Sequence, residues 1–114
     1  MAWGNVPYGE HAQAFYEKAA VEARGDRTLQ VLHLLPYNRS ETRYMQESVL
    51  AEACAEWHPR GRLAFIGESG VAGDQNPFAS ILYGLNVDVD RFAWAFGRMG
   101  LVRATRVVSG RPVA

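Results

Sequence analysis

Three histidines, one cysteine and a glycine-rich stretch supply most of the residue types from which this 114-residue chain could build a reactive centre. His11, His33 and His58 stand alone, without the paired spacing that puts two metal ligands on one helical face. His33 lies inside an apolar run, where a histidine of the core or sheet face is expected. Cys54 sits among apolar neighbours and has no recognisable partner in a nucleophile pattern, so a buried, inert thiol is expected. Gly67-Glu68-Ser69-Gly70-Val71-Ala72-Gly73 has the look of a phosphate cradle. It lacks the Gly-Lys-Ser/Thr ending, and a strand rather than a helix N-terminus follows it. Glu68 and Asp74 in the same loop could meet as paired carboxylates for acid–base work. With His33 they are the loop-site candidates. No catalytic residue, metal site or cofactor follows from these spacings.

Recognition is better served than catalysis. Residues 91–114 hold Arg91, Arg98, Arg103, Arg106 and Arg111 and no acidic residue, whereas residues 1–26 carry a net charge of minus two. Tyr, Trp and Arg are the residues that anchor interfaces. Trp57 and Trp94 are assigned to the core by their helical spacing. That leaves Trp3, Tyr37 and Tyr44 as aromatic anchors and Arg98, Arg103 and Arg106 as basic ones. An RNA-binding sheet would need a Lys/Arg-Gly-Phe/Tyr strand, which is absent. Another protein, not nucleic acid, is the expected partner.

Composition bounds the rest. A 48% apolar chain with 11% aromatics is globular, and 114 residues bury a core without metal or disulfide staples. Twelve basic and twelve acidic side chains cancel, so no long-range field draws the whole molecule to nucleic acid or anionic membrane. One cysteine forms no internal disulfide, which favours a reducing compartment. Neither a basic-then-apolar leader nor a membrane-length apolar run is present. A cytoplasmic protein is the expectation.

The elements that must position these residues follow from periodicity. Ala12, Phe15, Tyr16, Ala19 and Ala23 make one stripe of a helix over 10–23, stopped by Gly25. Leu29 to Leu35 reads as a central strand. Met45, Val49, Ala53 and Trp57 recur every four residues, predicting a helix over 41–57. Residues 63–66 form a short strand, 67–76 a loop, 79–85 a strand, and 88–98 a helix capped by Asn86 or Asp88. A strand over 101–108 completes the order. The result is one domain, 1–114, with a leading helix (1–26) and a split βαβ core (27–110). The fold class is α+β, a ferredoxin-like sandwich with helices on one face of a four-stranded, mainly antiparallel sheet.

Pro77, Ser80, Gly84, Leu85, Phe96 and Gly97 stand in an order and spacing that resembles the C-terminal half of the domain-of-unknown-function family 3293. Pro36-Tyr37-Asn38-Arg39-Ser40 departs from that family's Asn-Pro element after the first strand. The resemblance covers about residues 28–110, supports the same element order and implies no activity. The functional expectation is a small non-catalytic protein-binding module, of the class of phage or mobile-element inhibitors of host defence systems (anti-CRISPR-like). The alternative is a small-molecule or phosphate-binding regulatory domain, or a minor enzyme, centred on loop 67–76.

Overall fold

The structure, a computed structural model, describes residues 1–5, 12–36, 41–61, 64–66, 72–75, 79–108 and 110. Its elements are β1 (Ala2–Asn5), α1 (Ala12–Gly25), β2 (Val31–Pro36), α2 (Arg43–Glu47), α3 (Val49–Glu52), β3 (Ala53–Pro59), β4 (Ala64–Ile66), β5 (Ala72–Gln75), β6 (Ser80–Leu85), α4 (Val89–Phe96) and β7 (Gly100–Ala104). The fold is α+β, with a leading helix and a split βαβ sheet. Its main sheet has five strands rather than four, in the order β1-β2-β6-β3-β7, while β4 and β5 form a separate two-stranded ribbon. The added strand is β1, which pairs parallel with β2 from Ala2 opposite Val31 to Asn5 opposite Leu34. Four residues around a glycine carry little strand periodicity, so only pairing reveals it.

Strands β2 and β3 both run antiparallel to β6, and β6 and β7 both run antiparallel to β3. Each of the two crossovers therefore steps over one intervening strand. They step in the same direction along the sheet from strands of opposite sense. Two crossovers of the usual right hand must then lie on opposite faces. That is where the helices are, and it corrects the one-face expectation. Tyr16, Ala19, Met45 and Val49 from α1, α2 and α3 pack on Val31, Leu35, Tyr83 and Leu85. Phe92 and Phe96 of α4 pack on Leu34, Leu82, Ala55 and Trp57 of the other face.

The helix expected over 41–57 is the largest correction. Helical turns occupy only 43–47 and 49–52. The chain breaks at Ser48, whose backbone leaves the helical region and whose hydroxyl donates to the Tyr44 carbonyl, competing with the helical ladder. Residues 53–59 are instead the fourth strand of the sheet. A spacing of four fits a helix of period 3.6 and also a strand of period 2, so the every-fourth pattern did not discriminate. The alternating burial of Ala53, Ala55 and Trp57 against half-buried Cys54, Glu56 and His58 is the strand signature. Two smaller corrections follow the same sheet. The expected loop 67–76 contains β5, and β7 ends at Ala104 rather than 108.

A register shift between Ala53 and Ala55 puts an extra residue into β3. That bulge reverses which face each later side chain meets. Ala53 joins the α1 cluster, whereas Ala55 and Trp57 join the α4 cluster. Cys54, at the bulge, is half-buried, and its S–H donates to the carbonyls of Gly84 and Val87 at 3.6 and 3.5 Å.

Beyond β6 the chain turns at Asn86, the one non-glycine residue with positive φ (57°) among those described. Its side-chain amide donates to the carbonyls of Ala23, Leu29 and Asp26 at 2.9, 2.9 and 3.2 Å. These carbonyls lie at the end of α1 and in the link to β2, so one turn residue joins the exit of β6 to the entry of β2. Asn86→Ala is expected to cost about 2–4 kcal/mol in urea unfolding, from the lost hydrogen bonds and the strained backbone. Asn86→Gly is expected to cost less, because glycine adopts this φ freely. Two variants as stable as the parent, within about 0.5 kcal/mol, would remove Asn86 from this role.

Candidate functional site

Asp88 caps α4 by accepting from the Arg91 N–H at 3.1 Å, and Asp90 adds a second negative charge where the helix dipole is positive. The amphipathic α4 then buries Phe92 and half-buries Phe96, whose ring lies 5.0 Å from those of Phe92 and Trp57. That orientation turns Trp94 outward, where it is 85% exposed. Trp94 is therefore not a core residue: the i+2 step from Phe92 crosses to the opposite side of a helix. Arg98 follows one turn later and shares a shallow concavity with it. Met99 and Leu101, both exposed, continue the surface to β7.

β7 is an edge strand among the described residues. The ladder bonds Thr105 N–H to Cys54 C=O and Arg60 N–H to Met99 C=O, both 3.0 Å, set its phase. In an antiparallel pair the bonded positions alternate, so residues 99, 101, 103 and 105 turn their main-chain groups toward β3. Gly100, Val102 and Ala104 therefore present their N–H and C=O groups outward. Beyond the strand, Val107 and Val108 are exposed. The outer margin of the sheet thus combines free main-chain groups, exposed apolar side chains and Arg98, Arg103 and Arg106, with no acidic residue from 91 onward.

A second arrangement crosses the sheet on the α1 face. Cross-strand pairing lines up Gly4, His33, Tyr83, Glu56 and Arg103 in one row over all five strands. At its open end Glu56 forms an ion pair with Arg103 at 3.4 Å and lies 2.8 Å from His58 Nε2. The carboxylate orients a half-exposed imidazole as a general base would need. No nucleophile stands beside it among the described residues, since the Cys54 thiol is bonded inward. At the closed end His33 is buried, and burial lowers its basicity below the usual histidine value. Tyr83 between them is pushed up to about 12, first by burial, then by the charges of Glu56 and Tyr16. The row holds neutral groups under the helices and an ion pair at the rim.

The expected contact residues divide between two edges. Arg103 is on β7 and Arg106 follows it, whereas Arg98 neighbours Trp94, which lines a second cleft with Met1 and Leu32 on the β1–β2 side. Trp3, 61% exposed, is on β1, four strand spacings or about 19 Å from β7. Tyr44 is half-buried, its ring 5.6 Å from that of Tyr16, and serves the core. Tyr37 and Glu68 lie outside the described residues. Asp74 is placed by its backbone in β5, and His33 belongs to the sheet. Trp94 is the exposed aromatic that sequence reading assigned to the core, and its only signal was its position two residues from Phe92 on a short helix. Among the described residues no cluster of His, Cys, Asp and Glu could hold a metal ion, and no helix is long and apolar enough to cross a membrane. No family model, curated protein or solved structure matches this chain, so the site is read from its own residues.

The row has a measurable signature. Tyr83 titrates later folded than unfolded, where a tyrosine ionises near 10. Its contribution is therefore fully present below about pH 10 and is lost as pH rises through about 12. Alkaline unfolding is expected to weaken the parent more steeply than Tyr83→Phe between these values. Parallel stability profiles for the two proteins would show that Tyr83 is not held neutral.

Proposed function

We propose that the chain is a cytoplasmic protein-binding module, and that its contact surface is the free edge of β7 with Arg98, Met99, Leu101, Arg103 and Arg106. The observation that carries this reading is the coincidence of outward main-chain groups with exposed Met99 and Leu101 and three exposed arginines, one of them paired with Glu56, at one margin. An extended segment that adds a strand to this edge would gain main-chain hydrogen bonds. Side chains at alternate positions would then meet Leu101 and Arg103 on one face. The excess of arginine over Glu56 at this margin favours an acidic segment, because charge complementarity selects partners and speeds their encounter. The narrower class expected from the sequence, an inhibitor of a host defence system, is a protein-binding role of this kind and rests on size and class.

Ala104→Pro separates this reading from a merely sticky surface. It removes an outward N–H while leaving the bonds to β3 in place, a substitution edge strands accept. Peptides selected from a random display library on the parent protein are expected to be acidic and extended. They are expected to bind Ala104→Pro about tenfold more weakly, the worth of one main-chain hydrogen bond. Arg98→Glu should weaken the same peptides and reduce the salt dependence of binding. Selected peptides indifferent to both substitutions would overturn the edge as the binding surface.

A further inference from the structure

At the opposite margin of the sheet a cleft of about 310 Å³ opens between α1 and the β1–β2 pair. Phe15, Ala19 and Val31 line it with apolar surface, Gly4 and His33 are at its base, and Lys18 is at its mouth. The base is unusual in its polarity. His33 is only 5% exposed, and its Nδ1 is sealed from solvent without a hydrogen-bond partner among the described residues. The ring stands edge-on to Tyr16, centroids 6.3 Å apart. Its Nε2 lies over Gly4, where a Cβ would collide with Nε2 and Cδ2. Only glycine at position 4 leaves the imidazole in that place.

The tautomer follows from the sealed nitrogen. A buried N–H without a partner is rarer in proteins than a buried acceptor without one, so the proton belongs on Nε2 and Nδ1 keeps its lone pair. The cleft then offers one N–H donor at the bottom of an apolar wall. Ligand sites are commonly built this way, apolar with a few placed polar groups. Lys18 bonds Glu22 at 2.7 Å, both side chains largely exposed. Such a surface pair contributes little, so its ammonium is readily given up to another anion.

We propose that this cleft binds a small carboxylate with an apolar body, the carboxylate accepting from His33 Nε2–H and facing Lys18, the body lying against Phe15, Ala19 and Val31. A neutral imidazole suits this role, and burial keeps His33 less basic than an ordinary histidine. The site is separate from the β7 edge and stands or falls independently of it.

Long-range nitrogen–proton NMR on labelled protein tests the proposal, with phenylacetate as the probe. The free protein is expected to show His33 as the Nε2–H tautomer. Its ring signals should shift saturably with a dissociation constant on the order of a millimolar, as suits so small a ligand. Phenylacetamide, which keeps the ring and the acceptor but not the charge, should bind several-fold more weakly, as should phenylacetate to Lys18→Ala. His33→Phe keeps the ring volume without the donor and should lose about tenfold in affinity, read from the Phe15 side chain. An Nδ1–H tautomer, no saturable shift at His33, or unchanged binding by His33→Phe would each overturn the site.

Discussion

Strand β6 needs cover on both of its faces and both of its edges, and the rest of the molecule is arranged around that need. Its residues from Leu82 to Leu85 are all buried. Hydrogen bonds to β2 and β3 satisfy its edges. Its faces, apolar on both sides, would expose a large unfavourable area to water if helices lay on one side only. Glycine at position 84 lets α4 come close, since a Cβ there would press on Val87 and Phe92. Alanines at 12, 19 and 23 let α1 approach the opposite face.

From that constraint the two candidate surfaces follow. Helices on opposite faces of a five-stranded sheet each cover part of it, α1 to α3 over β2 and β6, and α4 over β6 and β3. The uncovered portions are the margins. At one margin the open rim of the polar row and the free edge of β7 face outward. At the other, the short β1 and the first turns of α1 leave the cleft above His33. The bulge at Cys54 makes this division sharp. It sends Trp57 to α4 while Glu56 and His58 stay on the α1 face, so one strand supplies an apolar core residue and a polar rim.

Glu52 ties the α1 side together. Burial raises its carboxyl, but hydrogen bonds and charge from Arg27 and Arg24 prevail and hold it below the ordinary carboxylate range. Those arginines come from the end of α1 and the link to β2, at 2.6 and 2.7 Å. Arg24 also donates to the Glu47 carbonyl. With Asn86 reaching the same link from β6, three distant stretches of chain meet through polar bonds at one corner. Part of the arginine content therefore has a structural use, whereas Arg98, Arg103 and Arg106 are exposed before, on and after β7.

Local pattern alone determined the leading helix, the β2 and β6 runs, the Asp88 cap and the helix before Gly97, because each depends on a short apolar period or a cap within a few residues. It also determined the α+β class and the concentration of arginine toward the C-terminal end. The tertiary structure decided what local pattern leaves degenerate. A four-residue spacing serves helix and strand alike, so only pairing with β6 and β7 made 53–59 a strand. A tryptophan on a short helix faces core or solvent according to which side meets the sheet, and that was settled by Phe92 and Phe96 packing on Trp57 and Leu82. A lone histidine becomes the base of a cleft only because a glycine from another strand lies beneath it. These are relations between residues far apart in sequence, and the chain acquires them only when the sheet is assembled.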